Sequence, residues 1–113
     1  MRKYTLTTTA AGTSDWSPVD RRGSSGDDYL VVVEILGAGN VVDFEFSPER
    51  PGVSGADSRD NPTIIIQHDV LSGLTESCAS TMVVPFQAFR LNVKKFTGGT
   101  IRAHVVQGGF HGN

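Results

Sequence analysis

Phe89-Arg90-Leu91-Asn92-Val93-Lys94-Lys95-Phe96-Thr97-Gly98-Gly99-Thr100-Ile101-Arg102-Ala103-His104-Val105-Val106 is the stretch on which the fold turns. Phe89, Leu91 and Val93 alternate with Arg90, Asn92 and Lys94; beyond the glycines, Ile101, Ala103 and Val105 alternate with Arg102 and His104. A period of two marks strands that bury one face. The pattern predicts a β-hairpin closed over Thr97-Gly98-Gly99, apolar inside and basic outside. With Phe96 and Thr100 flanking the turn, Lys94 falls opposite Arg102, and Asn92 opposite His104. Like charges directly across a ladder are unfavourable, so Arg90, Lys94 and Arg102 stand out as candidate partner-binding residues.

The same reading extends along the chain. Lys3–Thr9 alternates, with Tyr4, Leu6 and Thr8 on one face. Tyr29–Ile35 is a nearly continuous apolar run, the pattern of a strand buried on both sides. Gly37-Ala38-Gly39-Asn40 reads as a hairpin turn into Val41–Phe46, where Val42, Phe44 and Phe46 point inward and Asp43 and Glu45 outward. Thr63–Leu71 and Ser77–Val84 are further strands. Ala10–Gly26, with a short strand near Trp16–Val19, and Ser47–Asn61 are long polar connections. Short strands separated by turn signals, with no internal repeat, predict an all-β fold. The expected architecture is a jelly-roll-like two-sheet β-sandwich of about seven or eight antiparallel strands. An immunoglobulin-like sandwich is second, since the Cys…Trp…Cys spacing is missing.

With 113 residues the chain is long enough for one domain, 1–113, with residues 1–10 as an N-terminal strand or arm and 108–113 as a flexible tail. Thirteen glycines and five prolines favour turns and strands over helices. The net charge of −2 is unevenly spread: residues 1–76 hold all twelve acids against six bases, whereas residues 77–113 hold four bases and no acid. That balance argues against a dedicated nucleic-acid-binding protein. It suits docking on an acidic surface or between copies of the chain. Cys78 is the single cysteine, which excludes an intramolecular disulfide and a Cys-based metal cluster. The N-terminal residues lack the apolar core of a secretory signal, and no apolar run approaches the roughly 20 residues that span a bilayer. The expectation is a soluble protein with no membrane partner.

The chain carries no strong catalytic constellation, and the expectation is a non-enzyme with no cofactor and no metal. His68 beside Asp69 could orient as a general base, yet no nucleophile elbow accompanies it. Asp43 and Glu45, about 7 Å apart on one strand face, have the types needed for a carboxylate hydrolase, but an outward acidic stripe is usually a solvated face. The Asp57–Asn61 loop offers three oxygen ligands where calcium takes six to eight. Trp16 is a candidate either to plug a sandwich end or to anchor a partner.

Two segments bear a family likeness. Phe86-Gln87-Ala88-Phe89-Arg90-Leu91-Asn92-Val93 with Thr97-Gly98-Gly99-Thr100-Ile101-Arg102-Ala103-His104-Val105-Val106-Gln107-Gly108-Gly109 resembles the C-terminal hairpin of small jelly-roll virion proteins of tailed bacteriophages. Tyr29–Gly37 with Val41-Val42-Asp43-Phe44-Glu45-Phe46-Ser47 is similar to their central strands, and the two together cover about half the chain. The resemblance implies a capsid cement (decoration) protein on the virion surface, assembled in the host cytoplasm and bound to the major capsid protein. Capsid symmetry suggests a homo-oligomer, a trimer at three-fold positions. A tail or fibre module that binds host-surface glycan through Trp16 is the alternative.

Overall fold

The computed structural model describes residues 2–19, 29–49, 62, 64–82 and 86–107. The Asp57–Asn61 loop, His111 and the 108–113 tail lie outside the described residues. Among the described residues nine strands run in order: β1 (Arg2–Thr8), β2 (Gly12–Thr13), β3 (Ser17–Pro18), β4 (Tyr29–Leu36), β5 (Val41–Ser47), β6 (Ile66–Gln67), β7 (Cys78–Met82), β8 (Ala88–Lys95) and β9 (Thr100–Gln107). Every pairing is antiparallel. One sheet has the order β1-β9-β4-β7; the other has β2-β8-β5-β6, with β3 also paired to β8.

The pairings nest. β5 pairs with β6, β4 with β7, β2 and β3 with β8, and β1 with β9. Successive nested pairs fall alternately in the two sheets, and β4·β9 and β5·β8 complete the sheets. This is a long antiparallel ribbon rolled on itself, which is the jelly roll. The expected fold class therefore holds, with one strand more than the seven or eight expected.

The core forms where the alternating strands meet. Tyr29, Val31, Val33 and Ile35 of β4 and Ile101, Ala103 and Val105 of β9 face Val42, Phe44 and Phe46 of β5 and Phe89, Leu91 and Val93 of β8. Phe44 stacks on Phe89 at 5.7 Å, and Phe86 bridges to Tyr29 at 4.6 Å and to Phe46 at 5.7 Å between ring centroids. β4 is not buried on both sides: Leu30, Val32 and Glu34 are only half-covered. Leu30 and Val32 are apolar, yet the sheet face above them is open. Of the expected Thr63–Leu71 strand, only Ile66–Gln67 pairs with β5.

Neither expected hairpin exists. β4 and β5 lie in opposite sheets, and so do β8 and β9. Both links are arches that carry the chain across the core. They sit side by side and are pinned by Asn40, whose Nδ2 donates to the Gly98 carbonyl at 2.9 Å while its Oδ1 accepts from the Thr97 N–H at 2.7 Å. The Thr97 hydroxyl also donates to the Ala38 carbonyl. Asn40 is fully buried by this arrangement.

Candidate functional site

Because β8 and β9 belong to different sheets, their outward residues point to opposite sides of the molecule. Arg90, Asn92 and Lys94 stand on the outer face of the five-stranded sheet; Arg102 and His104 stand on the outer face of the four-stranded one. The anticipated Lys94–Arg102 pairing is therefore replaced. Arg90 lies directly across from Glu45 in the β5·β8 ladder, and Arg102 directly across from Glu34 in the β4·β9 ladder. Opposite charges at facing positions support a sheet, so what looked like a repulsive basic face is two separate sets of cross-strand ion pairs.

The five-stranded sheet holds the tighter set. Arg90 Nε donates to Glu45 Oε1 at 2.7 Å, and Asn92 Nδ2 to Glu45 Oε2 at 3.1 Å. The Arg90 guanidinium also lies 4.5 Å from the centre of the Trp16 ring, within cation–π range. Trp16, in the link between β2 and β3, is half-buried and covers the charge pair. Asp43 accepts from the Gly73 N–H at 2.6 Å and has Lys94 Nζ at 3.8 Å. Asp43 and Glu45 are therefore buried rather than solvated, a correction to the outward acidic stripe. Residues 71–74 close over β5, with Val42 and Leu74 exchanging backbone hydrogen bonds, and this cover is what removes Asp43 from water. Two carboxylates so enclosed offer no water-filled gap for glycoside hydrolysis.

On the other face, Thr5, His104 and Glu34 form a chain: Thr5 Oγ1 lies 3.2 Å from His104 Nδ1, and His104 Nε2 lies 3.2 Å from Glu34 Oε1. Arg102 reaches the same carboxylate oxygen at 3.4 Å. The His104 hydrogen bond, reinforced by Arg102, holds the Glu34 carboxyl below its usual range, against a smaller opposing effect of desolvation. A hydroxyl, an imidazole and a carboxylate in line are the ingredients of acyl transfer. Here they belong to three adjacent strands, β1, β9 and β4, at facing and diagonal ladder positions. The chain of bonds ties three strands together across a sheet face.

His68 is the third polar feature. It is buried beside Phe44 and Phe46, with ring centroids 6.3 Å away in each case. Its Nδ1 accepts the N–H groups of Val70 and Leu71 at 3.1 and 3.0 Å, which places the proton on Nε2. Burial pushes its pKa down, opposed by the Asp69 carboxylate 3.6 Å away. The imidazole thus folds the 68–71 turn instead of serving as a general base.

That turn forms one wall of a groove of about 440 Å³ at the open side of the sandwich, between β6 and β7, lined by Phe46, Ile66, His68, Val70 and Met82 among others. Ile64, Ile65, Ile66 and Val70 on this flank are 41–55% exposed. Sequence reasoning missed this surface by extending a strand through it. The signal was present: three consecutive isoleucines cannot all face inward on a strand.

No protein-family model matches the chain, and no curated protein does. Among solved structures, the chain is similar to one from the Bacillus endospore appendages, described as a family of disulfide-linked pili. The identity is 16% and the TM-score 0.41, over 92% of this chain and 82% of that one.

Proposed function

We propose that the protein is a non-enzymatic virion structural protein, a jelly-roll cement that binds the outside of a bacteriophage head and reinforces it. The observation that carries this reading is the exposed apolar flank of Ile64, Ile65, Ile66 and Val70. Large apolar groups gathered on a surface mark contact with another macromolecule. The polar constellations described above are, by contrast, engaged in holding strands together. The likeness of residues 86–109 and 29–47 to phage virion proteins supplies the class of assembly.

Approach to an acidic shell would be steered by Lys94 and Arg102, which are 56% and 39% exposed at the side chain, and not by Arg90 at 17%. Since these two bases lie on opposite faces, single reversals separate the faces. Lys94→Glu weakens capsid binding if the five-stranded sheet docks, and Arg102→Glu does so if the four-stranded sheet docks. The decisive experiment is sedimentation of the purified protein with empty, undecorated heads. Saturable, stoichiometric co-sedimentation supports the reading. Absence of binding, together with retention on host-envelope glycans, would favour the tail or fibre alternative.

A further inference from the structure

We infer that the flank between β6 and β7 receives a second copy of this chain, whose β1 adds to the edge of β7 that is unpaired among the described residues and continues the four-stranded sheet. The edges of the sandwich differ sharply. β2 and β6 are two residues long, and β1 carries Arg2 and Lys3. β7, Cys78-Ala79-Ser80-Thr81-Met82, has no charge and no proline, and its register with β4 runs without a bulge. It lacks the devices that normally keep an edge strand from pairing with another chain. The exposed Ile66 and Val70 line the groove directly beside it.

Charge selects the occupant. Residues 64–82 carry Asp69 and Glu76 and no Lys or Arg, whereas residues 2–14 carry Arg2 and Lys3 and no acid. Pairing β7 with β7 would set like acids together; pairing β1 on β7 joins opposite signs. Apolar character agrees, because Tyr4 and Leu6 on β1 are only partly buried within their own copy.

The strand count makes the join possible. An antiparallel sheet of four strands has edge strands that run in opposite directions, so β1 of a second copy beside β7 keeps the alternation. Lys3, Val106, Leu30 and Thr81 lie in one row across the sheet. Extending that row without slippage brings Lys3 of the second copy to Thr81, in the groove wall that Asp69 shares. The two edges are on opposite sides of each molecule, so the contact is heterologous and builds a ring or an open chain. The inference rests on the reading above only in taking the protein for a subunit of an assembly; it gives the apolar flank to the neighbouring copy and leaves the sheet faces with Lys94 and Arg102 to the shell, and its test uses no capsid.

The test is analytical ultracentrifugation of the full chain over a concentration series, on wild type and on variants at exposed positions. Wild type should pass beyond a dimer or close into a ring. Lys3→Glu and Asp69→Lys should each raise the concentration needed for assembly several-fold, and the double variant should recover it. Val70→Asp with Ile66→Asp should leave monomer, with an unchanged circular dichroism spectrum to show that the fold persists. A wild type that stays monomeric throughout overturns the inference. So does a dimer that grows no further and ignores Lys3→Glu, since that is the β7-to-β7 contact. Self-assembly without capsid binding would remove the cement reading alone; capsid binding by a strict monomer would remove this one alone.

Discussion

At Arg90 two partners converge on one guanidinium, the Glu45 carboxylate and the Trp16 ring, and the side chain as a whole is largely buried. Removing one partner of a buried pair leaves the other charge uncompensated, at a cost of about 3 kcal/mol. A long 3.8 Å pair whose base is largely exposed contributes no more than about 1 kcal/mol, and Asp43 keeps the Gly73 N–H when Lys94 is removed. Arg90→Ala should therefore lower unfolding stability by about 3 kcal/mol, and Lys94→Ala by less than about 1 kcal/mol, as read from urea midpoints. The sequence pattern places Asp43 and Glu45 correctly on the outward side of β5. It does not show that side to be covered, because the cover comes from Trp16 and residues 71–74, far away in the chain. His68 gives a second prediction. Its folded pKa lies below the usual 6.5, so between the two values the unfolded chain holds a proton that the folded chain does not. Stability is full above 6.5 and falls as pH drops through 6.5 toward the folded value. Glu34, lowered from 4.5, contributes stability above 4.5 that is lost as pH falls through its folded value. Thermal midpoints should hold above about pH 6.5 and drop as pH falls below it, and His68→Gln should flatten that limb while leaving the more acid one.

The two arches are the elements that turn a set of strands into this fold. Their tightness rests on backbone that only glycine allows. Gly99 has φ +85°, and a Cβ there would run into the Leu36 carbonyl; Gly98, at φ +141°, faces open space. Gly99→Ala should cost more than about 3 kcal/mol or abolish folding. Gly98→Ala should cost about 1–2 kcal/mol for the backbone alone, a contrast that denaturant titration resolves directly. Here the limit of sequence reading has a physical form. Alternation says which residues of β8 and β9 face inward, and Phe89, Leu91, Val93, Ile101, Ala103 and Val105 are all buried as expected. A hairpin and an arch give the same alternation, because strands in one sheet and strands in facing sheets can both turn their apolar side to the core. The Asn40 contacts that decide for the arch join positions more than fifty residues apart.

For the whole molecule, nearly every pairing is long-range, with β1 closing on β9 only after the rest of the chain has passed. Folds dominated by such contacts form slowly, on scales of milliseconds to seconds. The sandwich class is legible from strand spacing and turn residues, and so is the inward half of the core. The open β6–β7 flank is not, since it depends on where a strand stops pairing. One consequence of the β1·β9 register concerns connectivity. Arg2 and Gln107 are Cα partners on neighbouring strands, so a short linker between them would close the backbone into a loop, and new ends could be cut at the exposed Thr75-Glu76, beyond the 71–74 cover. A circular permutant opened there should keep the wild-type circular dichroism spectrum. Its new ends would lie beside β7, on the acidic flank, and a cargo fused there would ride on that side of the molecule rather than beside β1.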